Sequence, residues 1–258
     1  MRLMKRILSA AAVLALSASL LVGCSSGTAS SVPVSASSAA ESTVSSVEET
    51  ASSAVDENEA AAAQLLNDLT GSYQELWPVI LADEYKQTWL DDCTALVGEE
   101  NAEAAFEKLS SMVTSDVYGE DAVEAYANGG GAYFCGFTNS LATLTFDGET
   151  SPISGTDKDG NVLFSHTYHY IGMEPVRGLY EFQSDDADSG EFTYFFLAPD
   201  TSAETYHIEF LYGSDAEALS QYDTGEYAYW LASGISTDCD QTMIDNCIEL
   251  FCTENLAG

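Results

Sequence analysis

The chain has 258 residues, with 42 Asp and Glu against 7 Lys and Arg and a formal net charge of −35 at pH 7. A surface this acidic is repelled by phosphate backbones, which excludes nucleic acid as an expected partner. The charge selects no function by itself, and most of these carboxylates read as a solvated face.

Arg2, Lys5 and Arg6 form a basic opening, followed by an apolar run from Ile7 to Val22. That run falls short of the about 20 apolar residues of a comfortable membrane span and reads as a signal peptide over residues 1–23. Leu21-Val22-Gly23-Cys24 follows, which resembles the lipobox of bacterial lipoproteins. The resemblance implies cleavage before Cys24 and acylation of its thiol. Residues 24–60 are then a lipidated Cys and a Ser/Ala-rich segment without an aromatic residue. Such a segment buries too little apolar surface to offset its conformational entropy, so a disordered tether is predicted. Its r.m.s. reach is roughly 30–36 Å. The expected location is the extracytoplasmic side of the cell membrane, held by the lipid anchor.

Residues 61–258 read as one domain, large enough to bury a substantial core. Apolar residues recur at helical spacing over 60–67, 89–97 and 102–113. Gly129-Gly130-Gly131 reads as a hinge. From Ala132 onward the pattern predicts strands over 132–138, 141–146, 162–171, 178–183, 191–197 and 205–212. Asp147-Gly148, Asp159-Gly160 and Asp188-Ser189-Gly190 supply turn chemistry between them. Helices are predicted again at 216–221 and 241–252. Six short strands in series flanked by helices predict an α+β fold, mainly β, with an antiparallel meander closing into a small barrel.

Of six cysteines, Cys24 is assigned to lipidation, leaving Cys93, Cys135, Cys239, Cys247 and Cys252. Export permits disulfides, and an odd number leaves at least one thiol free. No Cys-x-x-Cys pair occurs, so a thiolate zinc site is not expected. Cys247 and Cys252, five apart on a helix, do not face each other well. A pairing of Cys239 therefore ranks ahead of a local bridge between those two. There is neither a Gly-x-Ser-x-Gly elbow nor a Gly-x-x-x-x-Gly-Lys loop, and no enzyme is expected.

Several segments resemble the ZinT (YodA) family of zinc-binding, calycin-like barrels. They are Leu69-Thr-Gly-Ser-Tyr-Gln-Glu-Leu-Trp-Pro-Val-Ile-Leu81, Tyr168-His-Tyr-Ile-Gly172 and Arg177-Gly-Leu-Tyr-Glu-Phe182. Ser189-Gly-Glu-Phe-Thr-Tyr-Phe-Phe-Leu-Ala-Pro-Asp200 and Thr205-Tyr-His-Ile-Glu-Phe-Leu-Tyr-Gly213 complete the series, with Glu217-Ala-Leu219 after them. The resemblance spans roughly residues 69 to 232. It implies a calycin/lipocalin-like barrel, zinc as the bound ion, and a metal ABC transporter as a partner. In that family three histidines hold the zinc. Their positions fall here on Asp200, Thr205 and His207, so only His207 keeps the family's ligand, and the family's His-rich loop has no counterpart.

Strand alternation places Thr205, His207 and Glu209 on one face and Tyr206, Ile208 and Phe210 on the other. If the first face lines the lumen, Glu209 is a buried acid that must be neutral, paired or bound to a cation. Asp200 is then the candidate second oxygen ligand and His169 the candidate second nitrogen. The candidate metal set is His207, Glu209, Asp200 and His169, a mixed N/O set acceptable to zinc. His166, opposite in parity to His169, is expected to be exposed. The alternative is a barrel without metal that takes a small organic or protein ligand, with His207 merely hydrogen-bonded in the wall.

Overall fold

The computed structural model describes residues 57–257. The signal peptide, Cys24 and the tether up to residue 56 lie outside them. Residues 57–60, assigned above to the tether, already belong to the first helix. Contacts divide the chain between Asn58 and Glu59, and the unit Glu59–Gly258 carries every strand among the described residues.

Helix α1 (57–68) buries Ala62, Leu65 and Leu66, and Leu69 follows, a spacing that makes one apolar stripe. After it come β1 (Gly71–Glu75), α2 (Leu76–Ile80), α3 (Lys86–Val97), α4 (Ala102–Ser111) and α5 (Glu120–Ala127). Helix α3 stops at Gly98, whose φ of 85° lies in the left-handed region that glycine enters without cost. Trp89 of α3 is fully buried, and its indole N–H donates to the Ile80 carbonyl at 2.7 Å, tying α3 to α2.

The remaining strands are β2 (Thr143–Phe146), β3 (Pro152–Thr156), β4 (Val162–Met173), β5 (Tyr180–Ser184), β6 (Tyr194–Leu197), β7 (Ile208–Gly213) and β8 (Ala232–Ser236). Each pairs antiparallel with its sequence neighbour, and β1 closes the ring against β8, with Tyr73 opposite Ser236. This is an eight-stranded closed barrel with helices before and after it, the calycin-like α+β architecture that the sequence predicts. Asp215 caps the short α6 (Ala216–Leu219) by accepting from the backbone N–H groups of Glu217 and Ala218. Asp240 caps α7 (Gln241–Leu256) by accepting from Met243.

The interior is filled by rings. Phe195 has its centroid 5.3 Å from that of Tyr168, 5.5 Å from Tyr212 and 5.9 Å from Phe164. Phe182 and Phe210 are equally buried beside them. Each such ring contributes about 2–3 kcal/mol by leaving water. Outside the wall, α7 lies against α2, α3 and α4.

The strand expectations need three corrections. Residues 132–138 form no barrel strand. Phe134 makes only single bridges, to Thr114 and Trp230, and the segment runs as a strap rather than a sheet member. Strands β1, β3 and β8 are present where the pattern predicts none, which raises the count from six to eight. Helices α2 and α5 are likewise absent from the sequence expectation. The other five predicted strands and the helices around them fall where the pattern places them, within a few residues at the ends.

Candidate functional site

Strand β7 is buried along all six residues, because both of its faces are covered. Phe210 and Tyr212 point into the ring cluster of the lumen, with Phe210 5.3 Å from Phe137 and Tyr212 5.0 Å from Trp230. Glu209 takes the opposite face. His207 precedes the strand, after Tyr206 has turned the chain with a φ of 67°, a conformation uncommon for a bulky residue.

His207 and Glu209 do share a side: His207 Nε2 lies 3.8 Å from Glu209 Oε1, with both side chains buried. That side is the outer face of the wall, not the lumen. The His207 ring sits 5.3 Å from the Phe251 ring of α7, and Phe251 in turn stands 4.7 Å from Trp77 of α2. Cys247 of α7 places its Sγ 4.0 Å from His207 Nδ1. Cys135, in the strap, adjoins Glu209, and burial followed by that carboxylate pushes its thiol up. The pair is thus covered by helices and the strap.

Three features give it chemical direction. His207 Nδ1 lies 2.7 Å from the Thr205 carbonyl, so this nitrogen carries a hydrogen and donates it. Cys247, at 4.0 Å, is a far weaker partner for the same nitrogen. Nε2 is left facing Glu209, the tautomer that metal-ligating histidines adopt when the other ring N–H is held by a carbonyl. Second, Glu209 Oε2 is buried and has no hydrogen-bond partner among the described residues. An orphaned buried carboxylate oxygen is costly and calls for a counter-charge or a donor. Third, Asp200 is buried, and its carboxyl is pushed up to about 6, by burial first and then by Glu209, against the pull of His207. Burial pushes the His207 imidazole down, but contact with Cys247 and Glu209 outweighs it, and the group is held well above its ordinary value.

The structure brings His207, Glu209 and Asp200 into one buried electrostatic cluster. It does not bring His169 there. His169 lies on the outward side of β4, half exposed, with Nδ1 2.6 Å from Asp185. His166, expected to be the exposed one, shares the inward parity of Phe164 and Tyr168 and is bound to Asp186 at 2.8 Å with only 17% of its side chain exposed. Among the described residues, no three or more His, Cys, Asp or Glu side chains are arranged to hold a metal ion. His207 Nε2 and the Glu209 carboxylate face each other, and Asp200 is linked to them only through the effect of their charges on its carboxyl. Sequence reasoning does not find Cys247 and Cys135 as neighbours of this pair. The signal for Cys247 lies in helical spacing, since Ile244, Cys247, Ile248 and Phe251 form the buried stripe of α7.

Two clefts open on the surface of the described residues, the second lined by the Trp77 and Cys135 that flank this pair. One of about 420 Å³ is lined by Leu65, Tyr180, Pro199 and Glu204, and one of about 340 Å³ by Trp77, Leu81, Phe134 and Cys135. No helix among the described residues is long and apolar enough to cross a membrane.

No protein-family model matches the chain, and no curated protein matches it. Among solved structures the chain is similar to the Zn(II)-bound ZinT-like domain of AdcA from Streptococcus pneumoniae. Identity is 15% and the TM-score 0.45, over 71% of this chain and 89% of that one. It is also similar to Zn(II)-bound AdcA from the same organism, at 13% identity and a TM-score of 0.43. That match covers 70% of this chain but only 34% of the other.

Proposed function

We propose that the chain is a lipid-anchored extracytoplasmic carrier of a divalent metal ion, zinc foremost, serving uptake or homeostasis rather than catalysis. Its cargo site is the pocket of His207, Glu209 and Asp200. The observation that carries this reading is the buried Glu209 Oε2, which has no hydrogen-bond partner among the described residues and lies on the carboxylate facing His207 Nε2. A bound cation would satisfy that oxygen and take the place of a proton at His207 Nε2. The Thr205 carbonyl holds the imidazole by its other nitrogen, and Phe251 and Trp77 keep bulk water off. The mixed N/O donor set is less selective for zinc than three histidines. Cys24 is the proposed anchor, residues 25–56 the proposed tether, and a metal ABC transporter the proposed recipient.

The alternative, a barrel for an organic or protein ligand, must use the surface clefts, because the lumen is filled by Phe195, Tyr212 and their neighbours. Elemental analysis with zinc titration of the full-length chain separates the two readings. We expect one ion per chain, with affinity lowered about tenfold or more in His207→Ala and in Glu209→Gln. Equal stoichiometry and affinity in all three proteins reject the site.

A further inference from the structure

The buried stripe of α7 carries a second pairing, distinct from the polar pocket. Cys252 Sγ lies 3.8 Å from Cys93 Sγ of α3, and neither residue has exposed surface. They meet in the broad contact between α3 and α7. All five cysteines among the described residues are free thiols, including Cys239, for which the sequence suggests a pairing. A disulfide holds its sulfurs about 2.05 Å apart. The sulfurs must therefore approach by about 1.7 Å to form the bond.

We propose that Cys93 and Cys252 are joined by a disulfide in the oxidised protein, stapling α7 to α3 and thereby fixing the helix that roofs His207. The bond would tie two positions 159 residues apart, with strands β2 to β8 all lying inside the closed loop. The oxidant is a small or protein disulfide of the extracytoplasmic kind. One cysteine thiolate attacks it, forming a mixed disulfide and releasing one thiolate. The second cysteine thiolate then attacks the cysteine sulfur of the mixed disulfide and releases the other half. Two electrons pass to the oxidant, and the two protons of the cysteines end on its two thiols.

Timing follows from burial. In the folded protein burial pushes both thiols up from their ordinary value, and Cys252 is raised further by Cys93. The thiolate is the attacking species, so burial slows exchange in the docked pair and favours bond formation before α7 docks.

The test refolds the reduced, unfolded full-length chain in a glutathione redox buffer, then blocks remaining thiols and maps peptides. We expect the Cys93 and Cys252 peptides to be cross-linked, two hydrogens lighter than the reduced pair. The oxidised protein should melt about 5–15 °C above the reduced one. That difference should vanish in Cys93→Ala and persist in Cys239→Ala. Blocked, separate Cys93 and Cys252 peptides after refolding, or a dominant bridge between other cysteines, overturns the proposal. Peptide mapping of the unmodified sequence decides between these outcomes even if a variant fails to fold. The result does not depend on whether a metal is bound.

Discussion

His207 Nε2 and Glu209 Oε1 face each other at 3.8 Å behind α7, on the outer wall of the barrel. At that separation they are an ion pair without a hydrogen bond, one that leaves an acceptor unused on Glu209. The gap between them sets the behaviour of the pocket towards protons and cations.

Zinc and a proton compete for Nε2. Burial pushes the His207 imidazole down, yet Cys247 and Glu209 together hold it well above the ordinary value, which strengthens the proton as a competitor. Binding should release about one proton per ion, and affinity should rise up to about tenfold per pH unit between about pH 6 and 8. Calorimetry in buffers of different ionisation enthalpy measures the release. An affinity that stays flat across this range contradicts the arrangement.

Asp200 gives a stability prediction of opposite sense to the usual surface carboxylate. Its folded value of about 6 exceeds the unfolded one, so the native state retains a proton that the unfolded chain gives up. As pH rises from about 4 to 6, the metal-free protein loses stability through this group, and the loss persists above about 6. Asp200→Asn should therefore stabilise it by about 1–3 kcal/mol at about pH 7, the gain fading as pH falls towards about 4. Urea unfolding at the two ends of that range reads the difference.

His169→Ala should leave zinc affinity unchanged and move stability by no more than about 0.5 kcal/mol. The side chain is half exposed, with Asp185 engaging its ring among the described residues. A fall in affinity comparable to that of His207→Ala would place it back in the site.

Gly155 tests how full the lumen is. A Cβ there would stand 2.4 Å from both Leu141 Cδ1 and Phe164 Cε1, inside van der Waals contact. Gly155→Ala should cost about 1–3 kcal/mol by forcing these side chains from their places, visible as a lowered denaturation midpoint. A neutral result would mean the interior has slack that the packing does not show.

Alternation along Thr205–Tyr212 is enough to put His207 and Glu209 together, because parity is a property of any extended chain. It does not reveal which way they point. Hydrophobic alternation reports the core face only when the other face is wet, and β7 is buried on both. The missed strands have a related cause. Pro152-Ile-Ser-Gly-Thr156 and Ala232-Ser-Gly-Ile-Ser236 are short and poor in β-branched and aromatic residues, so pairing with their neighbours rather than intrinsic preference makes them strands. Residues 132–138 show the reverse: a strand-like composition drawn into a strap by single bridges at Phe134. The sequence does not show that His169 stands half exposed on the outward side of β4, where Asp185 engages it among the described residues.

The seam between β1 and β8 has a further consequence for how the molecule comes to exist. The two strands that complete the ring come from opposite ends of the domain, so closure entropy must be met before the last ladder rewards it. Assembly should accordingly run in milliseconds to seconds rather than microseconds. Until Ala232–Ser236 arrives, β1 and β7 are open edges able to recruit strands from other chains, and a product truncated before that segment should aggregate instead of remaining a soluble partial barrel.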